Sequence, residues 1–156
     1  MDIRIAPIGP EDVNGAFAVI KAAFEKLVAP GYSREGILEF YKFANPLAMR
    51  LRLLGHTLFL AARTPEGEFV GVIEVQDKRH ISLLFVHPEH HRKGIAARLV
   101  EEACAMCGNG AIEVNSSPYA VEAYERMGFT RLSQEQLRNG IRYVPMRRPE
   151  RQGGKP

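Results

Sequence analysis

Between Leu84 and Ala97 the chain changes period, and that change restricts its fold more than any other feature. The run from His80 to Val86 reads as a strand. From Gly94 onward Ile95, Leu99, Val100, Ala103 and Met106 recur at helical spacing, predicting a helix to about Cys107. Gly108-Asn109-Gly110 ends it, and Ala111 to Asn115 is a short apolar strand. Strand, helix and strand in that order imply a right-handed crossover between parallel strands. At the junction a strand end passes through a basic loop into a helix that opens at a glycine. A helix N-terminus presents unpaired N–H groups and partial positive charge, which suits phosphate. Gly94 and Ala96 leave the backbone open, and His91, Arg92 and Lys93 add positive charge. The segment has neither the Gly-Lys-Ser/Thr close of a Walker A loop nor a GxGxxG pattern. A plain helix start with solvated basic residues accounts for these residues equally well.

The rest of the chain supplies a mixed sheet. Ile3 to Ile8 alternates like a strand. Gly9-Pro10 opens a helix whose apolar face is Val13, Phe17, Ile20, Phe24 and Leu27, and Pro30-Gly31 ends it. Ser33 is placed to cap a second helix carrying Ile37, Leu38 and Tyr41; a third, Leu47 to Leu54, closes at Gly55. Strands are predicted at Thr57–Arg63, Phe69–Val75 and His80–Val86, joined by short turns as antiparallel neighbours. Ser117 is placed to cap a late helix with Pro118 at its first position, ended by Gly128. Phe129–Leu132 and Ile141–Met146 read as a closing strand pair around Asn139-Gly140. The expected class is α/β, mostly antiparallel with one parallel pair. One domain spans residues 1–148, and residues 149–156 are expected to be a disordered tail.

Bulk properties exclude several classes. The chain has 156 residues, enough for one domain with a sizeable core. Its net charge of +3 is too mild to argue for nucleic acid. No apolar run approaches the ~18 residues of a spanning helix. Met1 to Arg4 lacks the pattern of a signal peptide, so the expectation is a cytoplasmic protein without membrane attachment. Cys104 and Cys107, three apart on a helix, read as small apolar thiols. That helix carries them away from His87, His90 and His91 at ~1.5 Å per residue, so no metal site is expected.

A second segment, Asn115 to Phe129, separates the two readings of the first. Ala120-x-x-x-Tyr124-x-x-x-Gly128-Phe129 matches a signature of the GNAT superfamily of N-acetyltransferases. Leu84-x-Val86-x-Pro88 resembles that family's fourth strand, and His91-Arg92-Lys93-Gly94-Ile95-Ala96 its Q/R-x-x-G-x-G/A loop. The resemblance covers nearly the whole chain in element order and is specific in the second half. His91 stands where Gln or Arg is usual, at a position whose family role is mostly a backbone one. Ser117 stands where Asn is common, while Asn115 lies nearby.

The resemblance implies acetyl-CoA as cosubstrate, lying in a splay between the fourth and fifth strands. Leu84, Phe85 and Val86 then offer backbone groups to the pantetheine arm, with the Val86 amide polarising the thioester carbonyl. His91, Arg92, Lys93, Gly94, Ile95, Ala96 and Ala97 form the pyrophosphate seat. Tyr124 is the implied general acid for the leaving thiolate, although a lone tyrosine on an amphipathic helix is usually half-buried core. Glu74, on the opposite strand face from Ile73 and Val75, is a candidate proton acceptor, and equally a solvent-facing strand residue. His80 is a weaker candidate. Asn115 is a candidate contact for coenzyme or acceptor, and equally a strand-ending turn residue. The implied partner is a small-molecule or peptide amine, placed between residues 31–54 and the sheet, and a homodimer through the late strands is compatible with the family. Arg50 or Arg52 there would suit an acceptor carboxylate. Two other readings are a non-catalytic acyl-CoA-binding domain on the same fold and a nucleic-acid module using the Arg147–Arg151 tail.

Overall fold

The computed structural model describes residues 2–151. Strand β1 (Arg4–Pro7) leads through a 3₁₀ turn at Pro10–Asp12 into α1 (Val13–Ala23). Val13, Ala16, Val19, Ile20 and Ala23 are the buried stripe of α1, as the apolar spacing requires. The helix does not run regularly to its end. Phe24–Val28 widens into a π turn and Ala29–Gly31 tightens into 3₁₀ geometry. Ser33 caps α2 (Arg34–Phe43), its hydroxyl accepting from the Gly36 N–H, and Asn45 caps α3 (Pro46–Leu53) in the same way through Ala48.

Strands β2 (Thr57–Arg63), β3 (Phe69–Gln76) and β4 (His80–Val86) form an antiparallel meander. Helix α4 (Ile95–Met106) carries the chain to β5 (Ile112–Ser116), which pairs parallel with β4. A 3₁₀ turn at Pro118–Ala120 precedes α5 (Val121–Arg126). Ser117 precedes that turn but makes no side-chain cap bond. The chain closes with β6 (Thr130–Arg131), β7 (Gln136–Arg138) and β8 (Ile141–Arg148). Among the described residues the sheet order is β1-β2-β3-β4-β5-β8-β6, with β7 paired to β8. The class expected from sequence is the one observed, and the expected closing strands do pair, as β6 with β8, but not through the Asn139-Gly140 turn. The Asn139-Gly140 turn joins β7 to β8, whereas β6 pairs farther along β8, and β8 inserts between β5 and β6. Period alone did not reveal β7, because its three residues are exposed.

Two apolar clusters lie on opposite faces of the sheet. One gathers Ile73, Val75, Ile81, Val86, α4 and Tyr124. The other gathers Val13, Ile20, Met49, Phe59, Val72 and Leu83 under α1 to α3. The Arg147–Arg151 run is not an open basic surface. Arg148 is buried, and both it and Arg151 bond Glu101. The Arg151 N–H also donates to the Asn109 carbonyl. Residues 152–156 of the expected tail lie outside the described residues. Among the described residues no helix is long and apolar enough to cross a membrane.

Candidate functional site

The site begins with a fault in β4. Glu74 faces Leu83 across the ladder, but Val75 faces Ile81, leaving Ser82 as an extra residue on β4. Such a bulge bends its strand and tightens the local twist. Pairing between β4 and β5 stops at the same level: His80 faces Glu113 and Ile81 faces Val114, and no later pair forms. Beyond it Asn115 and Ser116 pair only with Pro145 and Val144 of β8. The strands therefore part toward their C-terminal ends.

Alternation along β4 decides which groups line the gap. The His87 N–H donates to the Val70 carbonyl at 2.8 Å, so His87 faces β3. Two residues earlier Phe85, opposite Val72, faces β3 as well. The N–H and C=O groups of Leu84 and Val86 consequently point into the gap. Of the three strand residues expected to meet a ligand through their backbone, two have that direction. The Val86 carbonyl is already engaged, because His91 Nε2 donates to it at 2.8 Å. The resemblance gave this position mostly a backbone role; here the His91 side chain ties the loop to the strand end. Only the spacing of five residues between Val86 and His91 hints at this bond in the sequence.

The loop then turns sharply. Arg92 and Gly94 adopt left-handed φ angles of 65° and 77°. Gly94 is the N-cap of α4 and has no side chain with which to cap it, and no acidic residue follows in the first turn. The first intrahelical bond is from Arg98 N–H to Gly94 O, so the Ile95, Ala96 and Ala97 amides remain open. Arg92, Lys93 and Gly94 are exposed around them. Free amides, the helix dipole and nearby cations together suit a pyrophosphate.

Tyr124 lies on the α4 side of the sheet with only 6% of its surface exposed, its ring edge-on to Phe129 at 5.2 Å. Burial pushes its phenol well above the ordinary tyrosine range. Its hydroxyl forms no hydrogen bond among the described residues. Glu74 is not solvent-facing: it is 0% exposed and lies on the other face, beside Val72. Arg52 donates to both its oxygens, Nε to Oε2 at 2.6 Å and Nη2 to Oε1 at 3.0 Å. The same guanidinium stacks on Phe43 and bonds its carbonyl. Arg50 is also engaged, with Pro10 O and Asn14. Neither arginine is thus a free anchor for a carboxylate. Asn115 is exposed on β5, and His80 is half-buried at the closed end of the gap.

Beside the C-terminal end of β5, Ser117, Pro118 and Tyr119 face Leu27, Val28 and Gly31 across a cleft of about 70 Å³ that Tyr32 and Arg142 complete. The π turn of α1 thus forms one wall; such turns often occur at functional sites. Tyr119 and Arg142 were not among the residues singled out by sequence.

Residues 28–149 match the family model described as an acetyltransferase (GNAT) domain. The fold is similar to a GCN5-related N-acetyltransferase from Rhodopseudomonas palustris, with a TM-score of 0.77 and 24% identity over 96% of each chain. It is also similar to the PaiA N-acetyltransferase of Thermoplasma acidophilum in complex with coenzyme A, with a TM-score of 0.77 and 20% identity, covering 96% of this chain and 99% of that one. A phosphinothricin acetyltransferase from Sinorhizobium meliloti, in complex with acetyl-CoA, matches at a TM-score of 0.70 and 17% identity, over 100% of this chain and 94% of that one. With the family model spanning most of its length, over the splayed strands, the glycine-capped helix and Tyr124, this chain belongs to the GNAT acetyltransferase family.

Proposed function

We propose that this protein transfers the acetyl group of acetyl-CoA directly to the primary amine of an acceptor. The observation that carries the reading is the end of β4–β5 pairing at Ile81 and Val114, which leaves the backbone groups of Leu84 and the Val86 N–H without a ladder partner. An extended pantetheine arm is matched by such an edge as an added strand would be. The open amides of Ile95, Ala96 and Ala97, with Arg92 and Lys93 beside them, fit the pyrophosphate. Two of the structural neighbours were solved with coenzyme A or acetyl-CoA.

The roles follow from what each group has free. Val86 N–H is the donor left for the thioester oxygen, since the Val86 carbonyl is held by His91. Tyr124 keeps its proton because burial disfavours the phenolate, so it is available to protonate the leaving thiolate. Glu74 suits the part of proton acceptor poorly. Both its oxygens are taken by one guanidinium, and it sits across the sheet from Tyr124. We assign Glu74 to fixing α3 against β3, and the ammonium proton to water in the open gap. Asn115, exposed beside the gap, is left as a contact for either substrate.

Thermal unfolding with acetyl-CoA, free CoA and ATP tests the reading. At about 100-fold excess over the dissociation constant, binding stabilises by roughly 2.7 kcal/mol, a rise on the order of 5–10 °C. A shift with both CoA species and none with ATP supports the site. No shift at millimolar acetyl-CoA removes it.

A further inference from the structure

We infer that the acceptor is a small primary amine with a short neutral body, entering end-on, and that a polypeptide lying across the site is excluded. This rests on the transfer reading above and narrows its acceptor.

Three ties join the α1–α2 junction to the β7–β8 hairpin across the cleft. Arg142 Nη1 donates to the Gly31 carbonyl at 3.1 Å. The Tyr32 hydroxyl donates to the Arg142 carbonyl at 3.3 Å. Helix α2 meets the hairpin turn backbone to backbone: a methyl on Gly36 would collide with the Gly140 carbonyl, and one on Gly140 would meet the Gly36 amide. Glycine is required at Gly140 twice over, since its φ is +81°. An extended chain seated between two elements needs about 4.8 Å to each neighbour. Contacts of hydrogen-bond length leave no such lane.

The space these ties wall off is small. It offers about 70 Å³ and opens to solvent, well under the roughly 300–1,000 Å³ of drug-sized ligand sites. Leu27, Val28 and Pro118 make it apolar, and Tyr32 and Tyr119 add phenols. Burial raises the Tyr32 phenol above its ordinary range, so it stays a neutral donor. Arg142 is the one charged group in the lining, and its Nε is on Glu135 Oε2 at 2.7 Å. No carboxylate lines the cleft to hold the second ammonium of a polyamine, and Arg142 would repel it. An alkylamine or arylalkylamine fits this surface: apolar body, single amine, no second charge.

The test follows thiol release from saturating acetyl-CoA with three acceptors: phenethylamine, spermidine, and a short blocked peptide with one internal lysine. Expected is a kcat/KM for phenethylamine above both others by roughly tenfold or more, the scale of discrimination by pocket contacts. Arg142→Ala cuts the tie to Gly31, keeps the carbonyl that Tyr32 bonds, and raises the peptide's kcat/KM several-fold. Tyr32→Phe cuts one, keeps the ring, and moves the peptide in the same direction should Arg142→Ala fail to fold. Wild-type protein that uses the peptide or spermidine as well as phenethylamine overturns the assignment, as does coenzyme binding without phenethylamine turnover. A protein that acetyl-CoA does not stabilise overturns the transfer reading itself.

Discussion

Arg52 holds Glu74 by two points of a planar fork, Nε to Oε2 at 2.6 Å and Nη2 to Oε1 at 3.0 Å, while its face lies 3.7 Å from the centre of the Phe43 ring. The carboxylate is wholly buried and the guanidinium nearly so, with 18% of the side chain exposed. Removing one partner of such a pair strands the other in a dry site. Glu74→Gln is therefore expected to cost about 3–5 kcal/mol of stability, read by denaturant unfolding. The pH profile of kcat/KM should keep its acidic limb. If that limb vanishes while stability holds, Glu74 is the proton acceptor after all.

His91 ties the loop to Val86 through a single bond of 2.8 Å. A hydrogen bond of this kind contributes about 0.5–1.5 kcal/mol, so His91→Ala should weaken coenzyme binding by roughly three- to tenfold. His91→Gln offers an amide donor and should recover most of the loss. The readout is a coenzyme titration set beside kcat, which should change less than affinity. Equal affinity in all three proteins would leave the tie without a role in the seat.

Tyr124→Phe removes the proposed acid and keeps the ring against Phe129. Turnover should fall on the order of 10²-fold, with the coenzyme dissociation constant nearly unchanged. Unaltered turnover would remove the acid role.

The same variant has an alkaline signature. Burial raises the folded phenol's pKa, while the unfolded chain gives up this proton near pH 10. The contribution to stability is complete below pH 10 and is lost as pH climbs toward the folded value. Above pH 10 the wild type should lose about 1.4 kcal/mol per pH unit more than Tyr124→Phe. Parallel stability curves for the two proteins would contradict that burial.

Gly140→Ala would force a side chain onto a φ of +81° and into the Gly36 amide. The conformational part alone costs about 1–2 kcal/mol, and the contact adds to it. A lowered melting temperature with the hairpin loosened from α2, seen as faster amide exchange at Gly36, is the expected result.

The sequence by itself determined what depends on neighbours along the chain. The change of period at Gly94, the cap at Ser33 and the turn at Asn139-Gly140 are local preferences of backbone and side chain, and the structure keeps them. The spacing of Tyr124 to Gly128-Phe129 and the glycine at the start of α4 were legible for the same reason. Tertiary structure decided what depends on residues far apart. Glu74 was equally a surface residue until α3 brought Arg52 onto it, 22 residues earlier in the chain. Period-two alternation gives a strand its faces, but not which face the helices will cover. The bulge at Ser82 is a matter of register against β3, and so was hidden in a run of apolar residues. Arg142 and Gly31, separated by 111 positions, meet only because β8 inserts beside β5. Neither carries a local pattern that announces the other, which is why the walls of the proposed acceptor cleft could be seen only in the folded chain.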